Sequence, residues 1–398
     1  MRDPNLPKQL TNKATRVSSI SHRTSLHDLA WLFLKLGAIA FGGPPAHIAM
    51  MEEEVVSRRG WLTREQFLDF IGAANVIPGP TSTELAIHIG RVQAGWPGLL
   101  VAGTSFILPS AIFVTVLAWA YVRFGSLPQV AGVLYGVKPI VIAVIVQAVF
   151  RLGRSAVKSV WLGLLGALAV VAFALGLDEL AVLALGGAIA GVAYWLQSRD
   201  RTKPFSAPAV LAGISAGSAV ATPFSLGMLF LVFLKIGAIL FGGGYVLVAL
   251  IRSNLVARLG WISERQLLDA VAMGQVTPGP ISTAATFIGY VLAGLPGAAL
   301  ATIAMFLPAF FFVAISGPLV PGLRRSPIAG AVLDGVNVAA LALIAVVTWQ
   351  LFRAAVVDWL TLLLAALSFL LLMRYRTNST GLVLVGAAIG AAKSLLHL

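Results

Sequence analysis

Hydrophobic runs fill the chain from about residue 29 onward and are cut at short polar intervals. Stretches at 97–122, 128–150, 156–176, 179–197, 297–320, 327–351, 356–373 and 380–396 come near the roughly 20 residues that span bilayer hydrocarbon, the C-terminal ones being shorter. All read as helices. Other apolar segments are interrupted at Phe41-Gly42-Gly43-Pro44-Pro45 and at Pro78-Gly79-Pro80. Proline removes a backbone donor and clashes with the preceding turn, and glycine permits positive φ, so both runs break a helix. Arg58, Arg59 and Arg64 stand at one end of the pieces 65–77 and 81–94, and Arg91 at the other. A re-entrant hairpin entering from the cytoplasm is expected there, with one long broken helix as the alternative. Irregular backbone at that depth is tolerated only where protein or a water-filled cavity surrounds it.

The same interruptions recur about 200 residues later. Lys35, Phe41-Gly42-Gly43, Trp61, Gln66, Asp69 and Pro78-Gly79-Pro80-x-Ser82-Thr83 match Lys235, Phe241-Gly242-Gly243, Trp261, Gln266, Asp269 and Pro278-Gly279-Pro280-x-Ser282-Thr283. After a one-residue change of offset, Gly90, Gly95, Pro97 and Gly98 match Gly289, Gly294, Pro296 and Gly297, and Gly187-x-x-x-Gly191 matches Gly386-x-x-x-Gly390. The expected architecture is an all-α polytopic membrane protein of two homologous halves, arranged as inverted repeats with broken or re-entrant helices. It divides into a basic tail (1–28), a first repeat (29–203), a connecting segment (204–223) and a second repeat (224–398).

The inversion is read from loop charge, because cytoplasmic loops are enriched in Lys and Arg. Arg151, Arg154 and Lys158 mark a first-half loop as inside, whereas in the matching second-half loop Arg353 is balanced by Asp358. Arg324-Arg325 is inside, and its first-half counterpart holds Arg123 alone. Inversion requires an odd number of crossings between equivalent points, and the weakly apolar segment 207–222 is the candidate for the added one. Arg252, Arg258 and Arg265 would then lie outside, against the trend.

Composition leaves little room for another class: 59% of residues are hydrophobic, 11% are charged and mean hydropathy is +0.93. The net charge of +13 is scattered over loop ends instead of forming one face, so it signals topology and not nucleic acid. The tail lacks the apolar core of a signal peptide and is expected to stay attached in the cytoplasm. Cysteine is absent, which excludes disulfides, thiolate metal sites and cysteine nucleophiles. No cofactor or metal is expected.

A helix that restarts after proline presents free N–H groups and the positive end of its dipole. Thr81, Ser82 and Thr83, with Ser282 and Thr283 in the other half, add hydroxyls there, making a candidate cradle for a tetrahedral oxyanion. The plainer reading is a tight turn with a capped helix behind it. Lys35 and Lys235, each inside an apolar run, are candidates to balance a dianion, or else snorkel to the interface. Lys138 is a third candidate cation, replaced by Asn337 in the other half. Glu84, whose counterpart is Ala284, is a candidate for proton coupling, because it repels an anion when ionised and admits it when protonated. His88 is a candidate relay, and Glu52-Glu53-Glu54 reads as a solvated face.

Duplicated Phe-Gly-Gly followed by duplicated Pro-Gly-Pro-x-Ser-Thr resembles the chromate ion transporter family in its long, two-domain form, over about residues 29–396. The resemblance implies a multi-pass inner-membrane protein that exports chromate and confers chromate resistance. It maps the family motifs onto Phe41, Gly42, Gly43, Pro44, Pro78, Gly79 and Pro80, and onto Phe241, Gly242, Gly243, Gly244, Pro278, Gly279 and Pro280. Gly-Gly-Pro-Pro in the first copy becomes Gly-Gly-Gly-Tyr245 in the second, so the two sites are not expected to be equivalent. The residues themselves lead to a dianion transporter, and only the resemblance supplies chromate. Sulfate or another oxyanion is the runner-up substrate, and a homodimer is left open. A formal G-x-S-x-G match, Gly213-Ile-Ser215-Ala-Gly217, raises an intramembrane hydrolase, but no general base accompanies it.

Overall fold

The computed structural model describes residues 24–125, 127–198, 223–241, 244–375 and 377–396, the side chains of 317–325 excepted. The segment 207–222 and the Gly213–Gly217 match therefore lie outside the described residues, as do Gly242 and Gly243. Helices follow one another in the same order in both halves. The first half holds α1 (Leu26–Ile39), α2 (Gly43–Glu52), α3 (Arg64–Ala74), α4 (Thr81–Phe124), α5 (Pro128–Ala156), α6 (Val160–Ala174) and α7 (Glu179–Ser198). Their counterparts are α8 (Leu226–Ala238), α9 (Val246–Ile251), α10 (Glu264–Val276), α11 (Ala284–Arg325), α12 (Pro327–Ala355), α13 (Trp359–Arg374) and α14 (Ser379–Leu395). Two wide π-helical turns, Glu53–Arg58 and Arg252–Arg258, extend α2 and α9.

Local chemistry accounts for the boundaries. Thr63 and Ser263 cap α3 and α10, and Gln66 and Gln266 complete the two capping boxes, which explains the repeated glutamines. Chain direction reverses within α4 at Ala94-Gly95 and within α11 at Ala293-Gly294, where the glycines take φ of 65° and 62°. These reversals bring the Gly90 backbone against Gly98 and the Gly289 backbone against Gly297, an approach that leaves no room for a Cβ. Each half thus opens with two hairpins, α1–α2 and α3 with the first leg of α4, followed by longer spans.

Among the described residues, five helical stretches are long and apolar enough to cross a membrane: Thr81–Phe124, Pro128–Ala156, Glu179–Ser198, Ile281–Ser316 and Pro327–Ala355. On the second leg of α4, Ala102, Phe106, Ser110, Val114 and Ala118 are buried at a spacing of four, while Leu100, Leu108, Ile112 and Val116 are exposed as a lipid-facing stripe. Lipid tails are as apolar as leucine, so helices inside a bilayer associate through close packing of small residues. Gly136 touches Gly386, and Gly335 touches Gly186, in both cases backbone to backbone across the two halves. These glycine motifs therefore pack within one chain.

The halves interlock. Helices α6 and α7 pack on α12, and α13 and α14 pack reciprocally on α5. The equivalent helices α5 and α12 run antiparallel, because Lys158 at the end of α5 pairs with Asp334 near the start of α12 at 2.6 Å, and Gly153 faces Leu341 further along. Repeats whose equivalent helices are antiparallel are inverted. At the opposite face Tyr135, the repeat mate of Asp334, donates to Asp358 at 2.6 Å. That hydrogen bond, with those from the Thr361 backbone and Lys393, holds the Asp358 carboxyl below its ordinary range. Thr24 bonds Gln93, which bonds the Trp61 carbonyl, so the start of α1, the α2–α3 turn and the reversal of α4 share the Arg154 face. Arg252, out of place by loop charge, is neutralised by Glu264 at 2.6 Å.

Because the chain has no cysteine, introduced thiols are clean reporters of sidedness. Cysteines at 154 and 353, on repeat-related loops, are expected to react with an impermeant maleimide from opposite sides of the membrane. Labelling of both from one side would overturn the inverted arrangement.

Candidate functional site

The helix breaks of the two halves meet at the centre. The Gly79 N–H donates to the Leu240 carbonyl and the Gly279 N–H donates to the Ala40 carbonyl, each at 2.9 Å. Positions 40 and 240, and 79 and 279, are repeat mates, so the two bonds are copies of one contact related by the pseudo-two-fold axis. A helix that ends inside a bilayer leaves carbonyls unpaired, and here the opposite half supplies the donors.

Beside this junction lies a cavity of about 450 Å3. Gly42 and Pro44 from the first break, Asn75, Gly79 and Thr81 from the first Pro-Gly-Pro tip, and Leu240, Gly244 and Tyr245 from the second break form its inner end. Its walls are the C-terminal half of α5 and the N-terminal half of α12, including Arg151, Lys158, Asp334 and Asn337, so it leads to the Arg154 face. Lys158 and Asp334 neutralise each other. That leaves Arg151 as the cation on the cavity wall without an acidic partner among the described residues. The Tyr245 hydroxyl stands within van der Waals reach of a Cβ placed on Gly43 in the opposite half, and Tyr245 and Arg151 both line the cavity.

The opposite side is closed. Asp269 on α10 is fully buried, accepts from Tyr121 at 2.9 Å and pairs with Lys138 on α5 at 2.9 Å. Its repeat mate Asp69 is exposed, and Asn337, the mate of Lys138, lines the cavity. The two halves thus hold related positions in opposite states, one packed and one open.

The predicted site residues divide among several places. Gly42, Gly79 and Thr81 line the cavity, with Gly43, Pro78 and Pro80 next to them in sequence. Ser82 and Thr83 are buried away from it, and the Thr83 N–H is taken by the Pro80 carbonyl at 2.8 Å. At the second tip Ser282 and Thr283 are fully buried; Thr283 exchanges a 3.0 Å hydrogen bond with Ser110, and Pro278, Gly279 and Pro280 do not line the cavity. Lys35 pairs with Glu54 at 2.9 Å. Lys235 pairs with Glu179 at 3.0 Å and also donates to Asn254, the mate of Glu54. Neither lysine lines the cavity, and Lys138 is taken by Asp269. Glu54 is buried among Lys35, Arg58 and Arg59, which corrects its reading as part of a solvated face. Glu84 and His88 lie beneath the first tip, both buried. Among the described residues no cluster of three or more metal-ligating side chains occurs.

A family model described as chromate transporter matches residues 27–192 and again 227–391. The chain belongs to the chromate transporter family. The two matches coincide with the two structural repeats, so the family unit is one half of this fold. The chain is similar to a chromate transport protein of Cupriavidus metallidurans, 34% identical over 94% of each chain, and to one of Pseudomonas aeruginosa, 30% identical over 96% of each. It also resembles an uncharacterized transporter of Methanocaldococcus jannaschii, 26% identical over 96% of this chain and 98% of that one. No solved structure matches the chain significantly.

Sequence reasoning missed Arg151 and Tyr245 as parts of the site. Arg151 carries a signal, an arginine within the apolar pattern of α5, but the same arginine also reads as part of the loop charge. Tyr245 appeared only as the place where the second motif departs from the first.

Proposed function

We propose that this member of the family exports chromate from the cytoplasm across the inner membrane and so confers chromate resistance. The observation that carries the reading is the cavity itself: helix breaks from both halves meet at its inner end and a lone arginine stands on its wall. The N–H groups of Thr81 and Ser82 open α4 without a side-chain cap, and the helix dipole adds positive potential where the anion would sit. By the distribution of Lys and Arg, the face to which the cavity leads is cytoplasmic, the loading side of an exporter. The membrane potential favours the same direction, since moving two negative charges outward against an inside-negative 100 mV yields about 4.6 kcal/mol. Opening of the Lys138–Asp269–Tyr121 contact, with closure around Asn337 and Asp69, would then expose the site to the other side, as an inverted repeat allows.

Purified protein in proteoliposomes is expected to take up labelled chromate, faster when the potential drives anions inward and not at all in protein-free vesicles. Excess sulfate measures the breadth of selectivity, because sulfate shares the charge and shape of chromate. Uptake indifferent to the protein would sink the reading, and stronger competition by sulfate than by unlabelled chromate would reassign the substrate.

A further inference from the structure

Glu84 has no use in anion binding by the cavity lining, yet its position is singular. It is fully buried on the first turns of α4, and among the described residues neither carboxylate oxygen has a hydrogen-bond partner. One oxygen stands where a Cβ on Gly79 would be, so the carboxyl group is pressed against the backbone of the tip that lines the cavity. One turn further along the same face, His88 stacks on Phe70 at 5.7 Å with its Nε2 unpartnered. Next comes Arg91, over the Trp96 ring at 4.0 Å, toward the reversal of α4 at the Arg154 face. Positions 84, 88 and 91 share one helix face. They form a titratable column from the site to that face.

The second half has no such column, since Ala284, Phe287, Ile288 and Tyr290 occupy the corresponding stretch. Its tip is completed instead by Ser110, which packs on Gly279, whereas the repeat mate of Ser110 is Ala309, near Gly79. A hydroxyl fills one tip and a carboxyl the other.

Among the described residues, the surroundings of Glu84 offer no fixed counter-charge. Lys35 on α1 is bound to Glu54, and His47 on α2 donates to the Ala40 carbonyl at 3.0 Å. Asp69 on α3 is exposed, and Asp269 on α10 is held by Lys138 and Tyr121. Against the tip α11 presents Ala309, and the Ile281–Thr283 turn carries no ionisable group. Arg91, on its own helix, is the cation that remains.

We propose that Glu84 is a proton-binding site and that the proton travels with the anion, making the protein a proton–oxyanion symporter with His88 as the relay. This deepens the chromate reading and rests on it. An ionised carboxylate behind the tip repels a dianion in the cavity, and a protonated one does not. Anion binding and protonation therefore favour each other, and by linkage the effect is reciprocal. The proton comes from cytoplasmic water through His88 and leaves on the far side with the anion, so each cycle exports one net negative charge in place of the two carried by the anion alone.

The test uses proteoliposomes with a trapped pH dye, at an alkaline pH where chromate is the dianion. Inward chromate flux through the wild-type protein is expected to acidify the lumen, and Glu84→Gln is expected to move chromate without acidification. His88→Gln should slow coupled flux while leaving chromate–chromate exchange in place. Chromate entry without lumenal acidification in the wild type, or equal acidification in Glu84→Gln, overturns the proposal while leaving chromate transport intact. Absence of any chromate entry overturns both. Should Glu84→Gln fail to insert, wild-type uptake still decides through the proton-to-chromate ratio, a ratio of zero excluding symport.

Discussion

Replacing Arg151 by Gln is expected to weaken chromate binding by about 10- to 100-fold, the loss that follows when charge-assisted hydrogen bonds worth about 1.5–3 kcal/mol are removed. Of the cations on the cavity wall, Lys158 is spent on Asp334, so Arg151 carries the uncompensated charge. A guanidinium offers two parallel donors to a tetrahedral oxyanion, and a lysine at the same place offers only a point charge. Arg151→Lys should therefore recover part of the affinity, and its residual binding should fall more steeply with salt. Arg154 is the control, since it lies over the Phe150 ring at 4.5 Å and does not line the cavity. Equilibrium binding on purified protein decides the matter. Unchanged affinity in Arg151→Gln would move the anion out of this cavity.

The helix breaks were legible because their cause is local. Glycine and proline set backbone conformation by themselves, so Phe41-Gly42, Pro78-Gly79-Pro80 and their copies announced the tips, and Gly95 and Gly294 fell where the chain turns back. Inversion was legible for a different reason, since lysine and arginine record the side on which a loop is retained. What stayed hidden were the partners. Lys35 and Lys235 looked like matching substrate cations, but each is paired with an acid, and the acids are not repeat mates. Glu54 serves Lys35 from within its own half, whereas position 254 is Asn and the carboxylate for Lys235 comes from Glu179 in the other half. No local pattern carries that exchange, because it depends on how the halves interlock.

The hydroxyls of the Pro-Gly-Pro-x-Ser-Thr motif show the same limit at shorter range. Their spacing placed them at a helix start, as the structure does, yet only Thr81 turns toward the cavity while Ser82 and Thr83 face the interior. Which side of a helix meets a cavity is fixed by packing against α1, α3 and α11. Glu84 stands out in the sequence because it breaks the repeat. The same asymmetry is answered by Ser110 against Ala309, more than 20 residues further along the chain and invisible until the tips are seen side by side.

The second large effect is expected at Lys138 and Asp269, which join the halves on the closed side. Both are buried, and their ion pair spans 2.9 Å between α5 and α10. Removing one partner leaves an uncompensated charge in a site of low dielectric, a loss of about 3–5 kcal/mol, whereas removing both removes the penalty together with the attraction. Lys138→Met and Asp269→Asn should each destabilise the protein strongly, and the double variant should be far less damaged than their sum. Tyr121→Phe, which deletes only the hydroxyl donor to Asp269, should cost about 1–3 kcal/mol. Reversible unfolding in mixed micelles gives the free energies. The pair also has to part if the closed side opens, so the double variant should lower that barrier and let an impermeant thiol reagent reach a cysteine at 121 from the far side more readily than in the parent. Additive losses in the cycle would mean that the two charges are solvated separately and that no ion pair holds this side shut.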